Sequence, residues 1–211
     1  MTTVEFEPDF DTIDEFARLH ADLLRDAQGR VVLSTQGSGL HGSVDKKWNQ
    51  GSVGIGELQE AYKSEARAAN AEGRNMYSRA AAFSGASPSG SEEDAVGACI
   101  PVLVADFDER GLLVDDIKEL LSVPPTWILE TSKGRHQAAL KLDRCVTASE
   151  ARHLLRKWRT DDGSGIDETL DPVHAWRVPG SVNWGHEKKR AEDGGAYPFV
   201  TKIVDGAIDG D

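Results

Sequence analysis

The stretch ACIPVLVADFD, residues 98–108, decides the fold more strongly than any other part of the sequence. Its apolar run predicts a strand over residues 98–107. Because side chains alternate between the faces of a strand, Asp106 and Asp108 should point to the same side, about 7 Å apart. Val102 and Val104 share that face. The opposite face, predicted to pack into a core, carries Leu103, Ala105 and Phe107.

The two acids at the end of this strand indicate a metal site. Two carboxylates on one face repel each other, and a hard divalent cation such as Mg²⁺ relieves that repulsion. Two solvated acids that end a strand before a turn would give the same pattern. The pair alone therefore leaves both interpretations open.

A basic hairpin follows the strand. Residues 126–130 and 137–142 predict two strands around the tight segment TSKGR, residues 131–135. A glycine at the centre of a short turn lets backbone amides approach an anion closely. The residues that would form a triphosphate cradle here are Ser132, Lys133, Gly134, Arg135 and His136. An ordinary basic turn with an incidental histidine is the alternative.

A third acid precedes a rigid Pro-Gly bend. Asp171 is followed by Arg177, by Asn183 and by the basic residue Lys188. A third carboxylate would complete a two-metal site, which clamps the attacking and leaving oxygens of nucleotidyl transfer. Arg177 would neutralise phosphate charge. Asp167 lies in the same segment, and an ordinary loop between packed elements is an equally good interpretation.

The remaining elements are predicted from the spacing of apolar residues. Helices are expected over residues 11–27, 56–72, 113–121 and 147–159, and strands over 31–34, 77–83 and 197–204. Residues 35–54, which include Trp48, and residues 176–183 predict irregular structure. The loop at 84–90 predicts a boundary between an N-terminal lobe, about 1–90, and a catalytic lobe, about 91–204. Residues 205–211 predict a linker to a downstream domain.

The composition excludes several classes of protein. The 211 residues carry a formal net charge of −12, which argues against a passive nucleic-acid binder but not against an enzyme with a local basic groove. No apolar stretch approaches the roughly 20 residues that span a bilayer, and the acidic N-terminus does not resemble a signal peptide. Cys99 and Cys145 lack metal-ligand spacing and predict two isolated, buried, reduced thiols in a cytoplasmic protein.

The three motifs, in this order, resemble those of the archaeo-eukaryotic primase superfamily. A DxD after an apolar strand is followed by S-x-G-x-H in a hairpin, and then by an Asp before Arg-x-Pro-Gly-x-x-Asn, here residues 177–183. The similarity is greatest to the primase-polymerase (RepB-like) branch of phage and plasmid replication proteins. It covers roughly residues 30–200.

The resemblance implies an α+β fold, with an RRM-like mixed or antiparallel sheet, flanking helices and a smaller N-terminal α/β lobe. It also implies a template-directed nucleotidyltransferase that uses two Mg²⁺ or Mn²⁺ ions. Asp106, Asp108 and Asp171 would hold the ions, and His136 with Ser132 would contact the triphosphate. Further nucleotide contacts would come from Lys133, Gly134, Arg135, Arg177, Asn183 and Lys188.

The implied partners are single-stranded DNA template, dNTP or NTP, and primer-template duplex, with a helicase domain downstream in a longer protein and no membrane. The implied location is the cytoplasm of a bacterial host. Two other classes of function stay open: a non-catalytic replication-initiation module that binds DNA, and a metal-dependent nuclease. A relative that binds nucleotides without polymerising them is a third.

Overall fold

A computed structural model describes residues 6–41, 43–91, 93–107, 111–158, 171–192 and 197–206. Within these ranges the helices are α1 (Phe10–Leu23), α2 (Leu58–Ala71), α3 (Val114–Glu119), α4 (Ala148–Trp158) and α5 (Glu187–Glu192), with a 3-10 turn at Ile55–Glu57. The first five strands are β1 (Arg30–Gly37), β2 (Trp48–Gly54), β3 (Arg74–Phe83), β4 (Ile100–Phe107) and β5 (Trp127–Ser132). The others are β6 (Arg135–Val146), β7 (Ala175–Arg177), β8 (Val182–Asn183), β9 (Phe199–Val200) and β10 (Lys202–Gly206). None of the helices in these ranges is long and apolar enough to cross a membrane.

The strands form two antiparallel four-stranded sheets. The first has the order β2-β1-β3-β7 and the second the order β10-β5-β6-β4, while β8 pairs with β9. A bridge between Ala82 and Cys99 joins the end of β3 to the start of β4, so the two sheets meet there. The α+β prediction, with antiparallel sheets and flanking helices, is confirmed.

Strand β4 is buried on both faces, which explains why its sequence is almost continuously apolar. Val102 and Val104 belong to a core cluster that includes α1 and α2 residues. Leu103, Ala105 and Phe107 belong to a second cluster, which includes residues of α3 and α4. Asp106 continues the face of Val102 and Val104 at the point where the strand leaves the core.

Two segments predicted as irregular contain strands. Trp48–Gly54 forms the edge strand β2, whose residues are exposed or half-buried and pair with β1. Such a strand is held by backbone pairing and needs no apolar alternation, so its Gly- and Ser-rich sequence conceals it. Residues 175–177 form β7, which pairs with Tyr77–Arg79 of β3.

Because β7 completes the first sheet, a boundary near residue 90 does not separate the two sheets. The division into lobes stays a prediction. Asp205 and Gly206 belong to β10 and not to the predicted linker, because they pair with Ile128 and Trp127. The rest of that linker, residues 207–211, lies outside the described residues.

The prediction of two isolated, buried, reduced thiols is wrong. Cys99 and Cys145 form a disulfide with a Cα–Cα distance of 5.0 Å, and both residues are half-buried. They lie 46 residues apart in the sequence, but β4 and β6 are neighbouring strands. Spacing along the chain contained no sign of this pairing.

The Pro-Gly bend packs against the start of α1. Gly180 accepts a hydrogen bond from the backbone amide of Asp9 and donates one to Thr201. Its φ is +82°, and an added Cβ would lie 2.5 Å from the Asp9 carbonyl oxygen and 3.0 Å from the Ile13 side chain. Glycine is therefore required both by the left-handed backbone and by the close approach of α1.

Gly180→Ala is expected to destabilise the protein by about 2–4 kcal/mol, because it adds overpacking to left-handed strain. Denaturant unfolding measures the change. Gly111→Ala is the matched control, since Gly111 has a φ of +87° but nothing within 4 Å of an added Cβ. An equal loss of stability in both variants would show that the close approach of α1 adds nothing to the cost of Gly180→Ala.

His20 is buried among aromatic side chains beneath the first sheet. Its Nδ1 lies 2.7 Å from the Tyr62 hydroxyl, and its ring packs edge-on against Trp176 at 5.2 Å. Burial lowers the pKa of the His20 imidazole to about 3, so the folded protein holds it neutral. Near pH 6 the unfolded chain binds a proton that the folded protein does not.

Stability is therefore expected to fall as the pH drops from about 6.5 towards about 3, with His20 contributing a slope of about 1.4 kcal/mol per pH unit. The measurement is the free energy of unfolding between pH 7.5 and pH 5. His20→Gln should remove this part of the slope, while His153→Gln, at an exposed position of α4, should leave it unchanged. If the free energy of unfolding changed with pH equally in wild type and in His20→Gln, His20 would not be the source of the slope.

Candidate active site

A cavity of about 230 Å³ lies between residues of the two sheets, at the Asp106 end of β4. Residues from both sheets, from the β8 strand and from α5 line it, so the site depends on the whole fold and not on one lobe. The lining residues are Gln36, Trp48, Tyr77, Asp106, Thr131, Ser132, Gln137, His174, Ala175, Arg177, Asn183 and Lys189.

Asp106 is the acid that faces this cavity. Its carboxylate oxygen Oδ2 accepts a hydrogen bond from the Gln137 side chain at 3.4 Å and lies 3.5 Å from Nε2 of His174. Burial opposes protonation of His174, but the hydrogen bond and charge of Asp106, together with the charge of Asp171, raise the pKa of its imidazole above the ordinary value. Asp106 and His174 thus form a closely coupled pair.

The Gln137 side chain, on the second sheet, forms hydrogen bonds with the first sheet. It is the register partner of Asp106 across the β4–β6 pair, so both side chains point to the same face. Its amide oxygen accepts from the backbone amide of Arg177 at 2.8 Å, and its amide nitrogen lies 3.5 Å from the Ala175 carbonyl oxygen. This residue therefore fixes β7 relative to the acid.

Asp171 lies behind the cavity and is not among the described residues that line it. Its carboxylate is held by the Val173 backbone amide at 2.9 Å and by Arg79 at 3.5 Å. Its charge helps to raise the pKa of His174, which in turn contacts Asp106. Its predicted role as a metal ligand stays a prediction.

The donor set fits a divalent cation only in part. Among the described residues no three His, Cys, Asp or Glu side chains cluster closely enough to hold a metal ion. Asp106 supplies the hard oxygen that Mg²⁺ or Mn²⁺ prefers. Asp108, the predicted second ligand, and Asp167 both lie outside the described residues. A metal site here would need Asp108 beside Asp106.

Of the five hairpin residues predicted to contact the triphosphate, one lines the cavity. Ser132 lines it, at the end of β5. Lys133 is exposed at the turn, and the Gly134 amide donates to the Glu130 carboxylate at 3.1 Å, so that amide is occupied within the hairpin. The Arg135 guanidinium lies 3.5 Å from the Tyr197 hydroxyl.

His136 lies on the other face of the sheet. Its register partners are Phe107 on β4 and Glu130 on β5, whereas the partner of Asp106 is Gln137. Burial lowers the pKa of its imidazole, although the charge of Glu130 opposes the shift. His136 is not among the described residues that line the cavity, and the predicted triphosphate contact stays a prediction.

Arg177 provides a cation with unused donor capacity. It is the register partner of Tyr77, and its guanidinium lies over the Tyr77 ring at 4.3 Å from the centroid. Its Nη1 is buried and has no hydrogen-bond partner among the residues that the structure describes. A buried donor without a partner is costly unless a ligand satisfies it, so the cavity is suited to an anion at this point.

Two further residues were predicted to contact the nucleotide, Asn183 and Lys188, and only the first of them lines the cavity. Asn183 lines the cavity, but its amide nitrogen donates to the Thr131 carbonyl at 2.6 Å and its oxygen accepts from the Gly185 amide. It therefore fixes the loop after β8. Lys188 is exposed and lies 3.6 Å from Glu192, whereas the neighbouring Lys189 lines the cavity.

Sequence reasoning did not identify Tyr77, Gln137 or His174 as site residues. His174 follows Asp171 closely, and its proximity to a predicted ligand was an available signal. Tyr77 and Gln137 gave no signal, because only the pairing of β3 with β7 and the register of β4 with β6 bring them to the cavity.

The comparisons with known proteins agree on the fold. No protein-family model matches the sequence, and no curated protein matches it. Among solved structures, it is similar to the catalytic domain of primase RepB′ in complex with initiator DNA, at 17% identity and a TM-score of 0.53, covering 91% of this chain and 85% of that one. A second structure of primase RepB′ matches at 18% identity and a TM-score of 0.53, covering 90% of this chain and 56% of that one.

The third similar structure is the AEP domain of the cyanophage S-2L primase-polymerase. It matches at 17% identity and a TM-score of 0.61, covering 97% of this chain and 94% of that chain. At such low identity the similarity establishes the fold. This chain has the fold of these primase catalytic domains, as the order of its motifs implied.

Proposed function

We propose that this chain is a template-directed nucleotidyltransferase, a DNA primase or DNA polymerase of the primase-polymerase kind. The observation that carries the proposal is the cavity that residues of both sheets line. An acid on β4, Asp106, and a cation with a free buried donor, Arg177, face into it from different sheets. The similarity to primase catalytic domains supports the proposal.

In this proposal the phosphates of a dNTP or NTP lie against Arg177, Lys189 and Ser132. Arg177 offers a charge-assisted donor, Lys189 a second positive charge and Ser132 a hydroxyl. Their positions across the cavity from Asp106 would hold the triphosphate beside the acid. A direct contact between His136 and the triphosphate stays part of the proposal, although His136 pairs with Glu130 and is not among the described residues that line the cavity.

Asp106 and Asp108 would hold Mg²⁺ or Mn²⁺, with Asp171 as the third proposed ligand. Such ions lower the pKa of an attacking hydroxyl and stabilise the charge of a leaving pyrophosphate. The chain's own contribution is to orient the acid. Gln137 and His174 both contact the same Asp106 oxygen, and the charge of Asp171 favours protonation of His174 while that of Arg79 opposes it.

The template and the primer-template duplex are proposed partners. The basic residues of α4 are poorly placed to guide a template into the cavity, because α4 packs on the core cluster that contains Phe107, on the opposite face of β4 from Asp106. A solvated basic face explains them better. A downstream helicase domain and a bacterial host cytoplasm belong to the same proposal.

Gel-resolved nucleotide incorporation on single-stranded DNA tests the proposal, with and without a primer and in Mg²⁺ or Mn²⁺. Metal-dependent, template-dependent products are expected, and the unprimed reaction reports whether the enzyme starts chains. Cleavage of the template without synthesis would replace the proposal with a nuclease. DNA binding without either reaction, unaffected by loss of Asp106, would replace it with a DNA-binding module.

A further inference from the structure

Trp48 differs from the other tryptophans of the chain in its exposure. Its relative exposure is 43%, whereas the other four are between 2% and 9% exposed. It begins the edge strand β2 and lines the cavity that contains Asp106 and Arg177. A large aromatic side chain that is left open to solvent at the rim of a ligand cavity suggests a contact surface for a ligand.

The indole forms the outer end of an aromatic and cationic stack. The Trp48 and Tyr77 rings lie 5.0 Å apart at 45°, and the Arg177 guanidinium lies over the Tyr77 ring on β3. Burial raises the pKa of the Tyr77 hydroxyl, which keeps it neutral. The stack leads from an exposed apolar ring at the rim to the half-buried guanidinium of Arg177.

The backbone that carries Trp48 is firmly held. The buried guanidinium of Arg74 donates to the Lys47 carbonyl at 3.0 Å and to the Thr35 side chain at 2.9 Å. The Gly37 amide also donates to the Lys47 carbonyl, at 2.9 Å. The backbone next to Trp48 is therefore fixed, and the contact of the indole with the Tyr77 ring limits the freedom that the side chain would lose to a ligand.

The size of the cavity places part of a nucleotide outside it. At about 230 Å³ it falls below the roughly 300–1,000 Å³ of pockets that enclose a whole small ligand. The charged interior suits the phosphates, so the base would extend past the rim. Trp48 is the exposed aromatic surface found there.

We propose that Trp48 is the platform on which the base of the bound nucleoside triphosphate stacks. This inference rests on the proposed function, because it takes the phosphates to lie at Arg177. A base stacks on an indole whatever its identity, since every base has a π face. The platform would therefore contribute affinity for nucleotides without selecting among the four bases.

Equilibrium binding in constant Mg²⁺ tests the platform with two probes, dATP and inorganic tripolyphosphate. Trp48→Ala is expected to weaken dATP binding by about 5- to 150-fold, the range for loss of one base stack, and to leave tripolyphosphate binding unchanged. Trp48→Phe should recover part of the loss. Arg177→Met should weaken both probes, and Val123→Ala, an exposed apolar residue beside Trp158, should affect neither.

Three results would overturn the inference. Unchanged dATP binding in Trp48→Ala would show that no base stacks there. An equal loss for dATP and tripolyphosphate would show a general disturbance of the cavity. With a short oligothymidylate as a third probe, a loss confined to that probe would assign the platform to the template strand. Binding needs no incorporation, so a wild type that binds dATP through Trp48 but synthesises nothing would refute the proposed polymerase activity alone.

Discussion

Asp106→Asn is expected to lower nucleotide incorporation by about a thousandfold or more. The substitution removes the negative charge that faces the cavity while keeping the shape of the side chain. The pair with His174 loses its negative charge, and the divalent cation of the proposed mechanism loses one of its proposed ligands. Loss of several kcal/mol of transition-state stabilisation corresponds to this change in rate. Gel-resolved primer extension in Mg²⁺ and in Mn²⁺ measures it.

Asp205→Asn is the matched control for this variant. The Asp205 side chain is 30% exposed and the Asp106 side chain 25%, and both residues lie in the second sheet. Asp205 forms an ion pair with Lys118 of α3 at 2.8 Å. It should retain wild-type incorporation. Both variants should unfold at nearly the same denaturant concentration as wild type. Full activity in Asp106→Asn would remove this acid from the proposed chemistry.

Arg177→Met is expected to weaken binding of a nucleoside triphosphate by about 10- to 150-fold. The variant removes a charge-assisted hydrogen bond, worth about 1.5–3 kcal/mol, and keeps an apolar side chain against Tyr77. The buried Nη1 has no hydrogen-bond partner among the described residues, so the loss of this atom leaves none of their acceptors unsatisfied. The fold should therefore be retained. Calorimetric titration with dATP in Mg²⁺ measures the affinity.

The control is Arg144→Met, which removes a cation from an exposed position. The Arg144 side chain is 67% exposed and pairs with Glu150, remote from the cavity lining. Its variant should bind dATP as wild type does. The proposed phosphate site would have to be placed elsewhere if Arg177→Met bound with unchanged affinity.

The sequence was most informative where local pattern and burial coincide. The apolar run before Asp106 and the short turn at Lys133-Gly134 each predict structure from adjacent residues, and β4, β5 and β6 appear where expected. The acid on β4 was identified for the same reason. Strand alternation determines the face of Asp106 without reference to any other part of the chain.

Features that depend on distant pairing could not be predicted in this way. The register between β4 and β6 puts Gln137 and not His136 opposite Asp106, and a shift of one residue would reverse the two. Trp48 lies in a strand that only its pairing with β1 defines. The disulfide between Cys99 and Cys145 likewise depends on which strands are neighbours.

Strand β7 also sets the order in which the protein can be assembled during translation. Its partner β3 is complete about ninety residues before β7 leaves the ribosome, and synthesis of that interval takes about 5–20 s. Throughout that time the β3 edge at Tyr77 lacks its partner and is open to pairing with other chains. Arg177 can reach Tyr77 only after the roughly one hundred residues between them have been made. A prematurely terminated product would therefore contain the acid strand but lack the cationic half of the cavity.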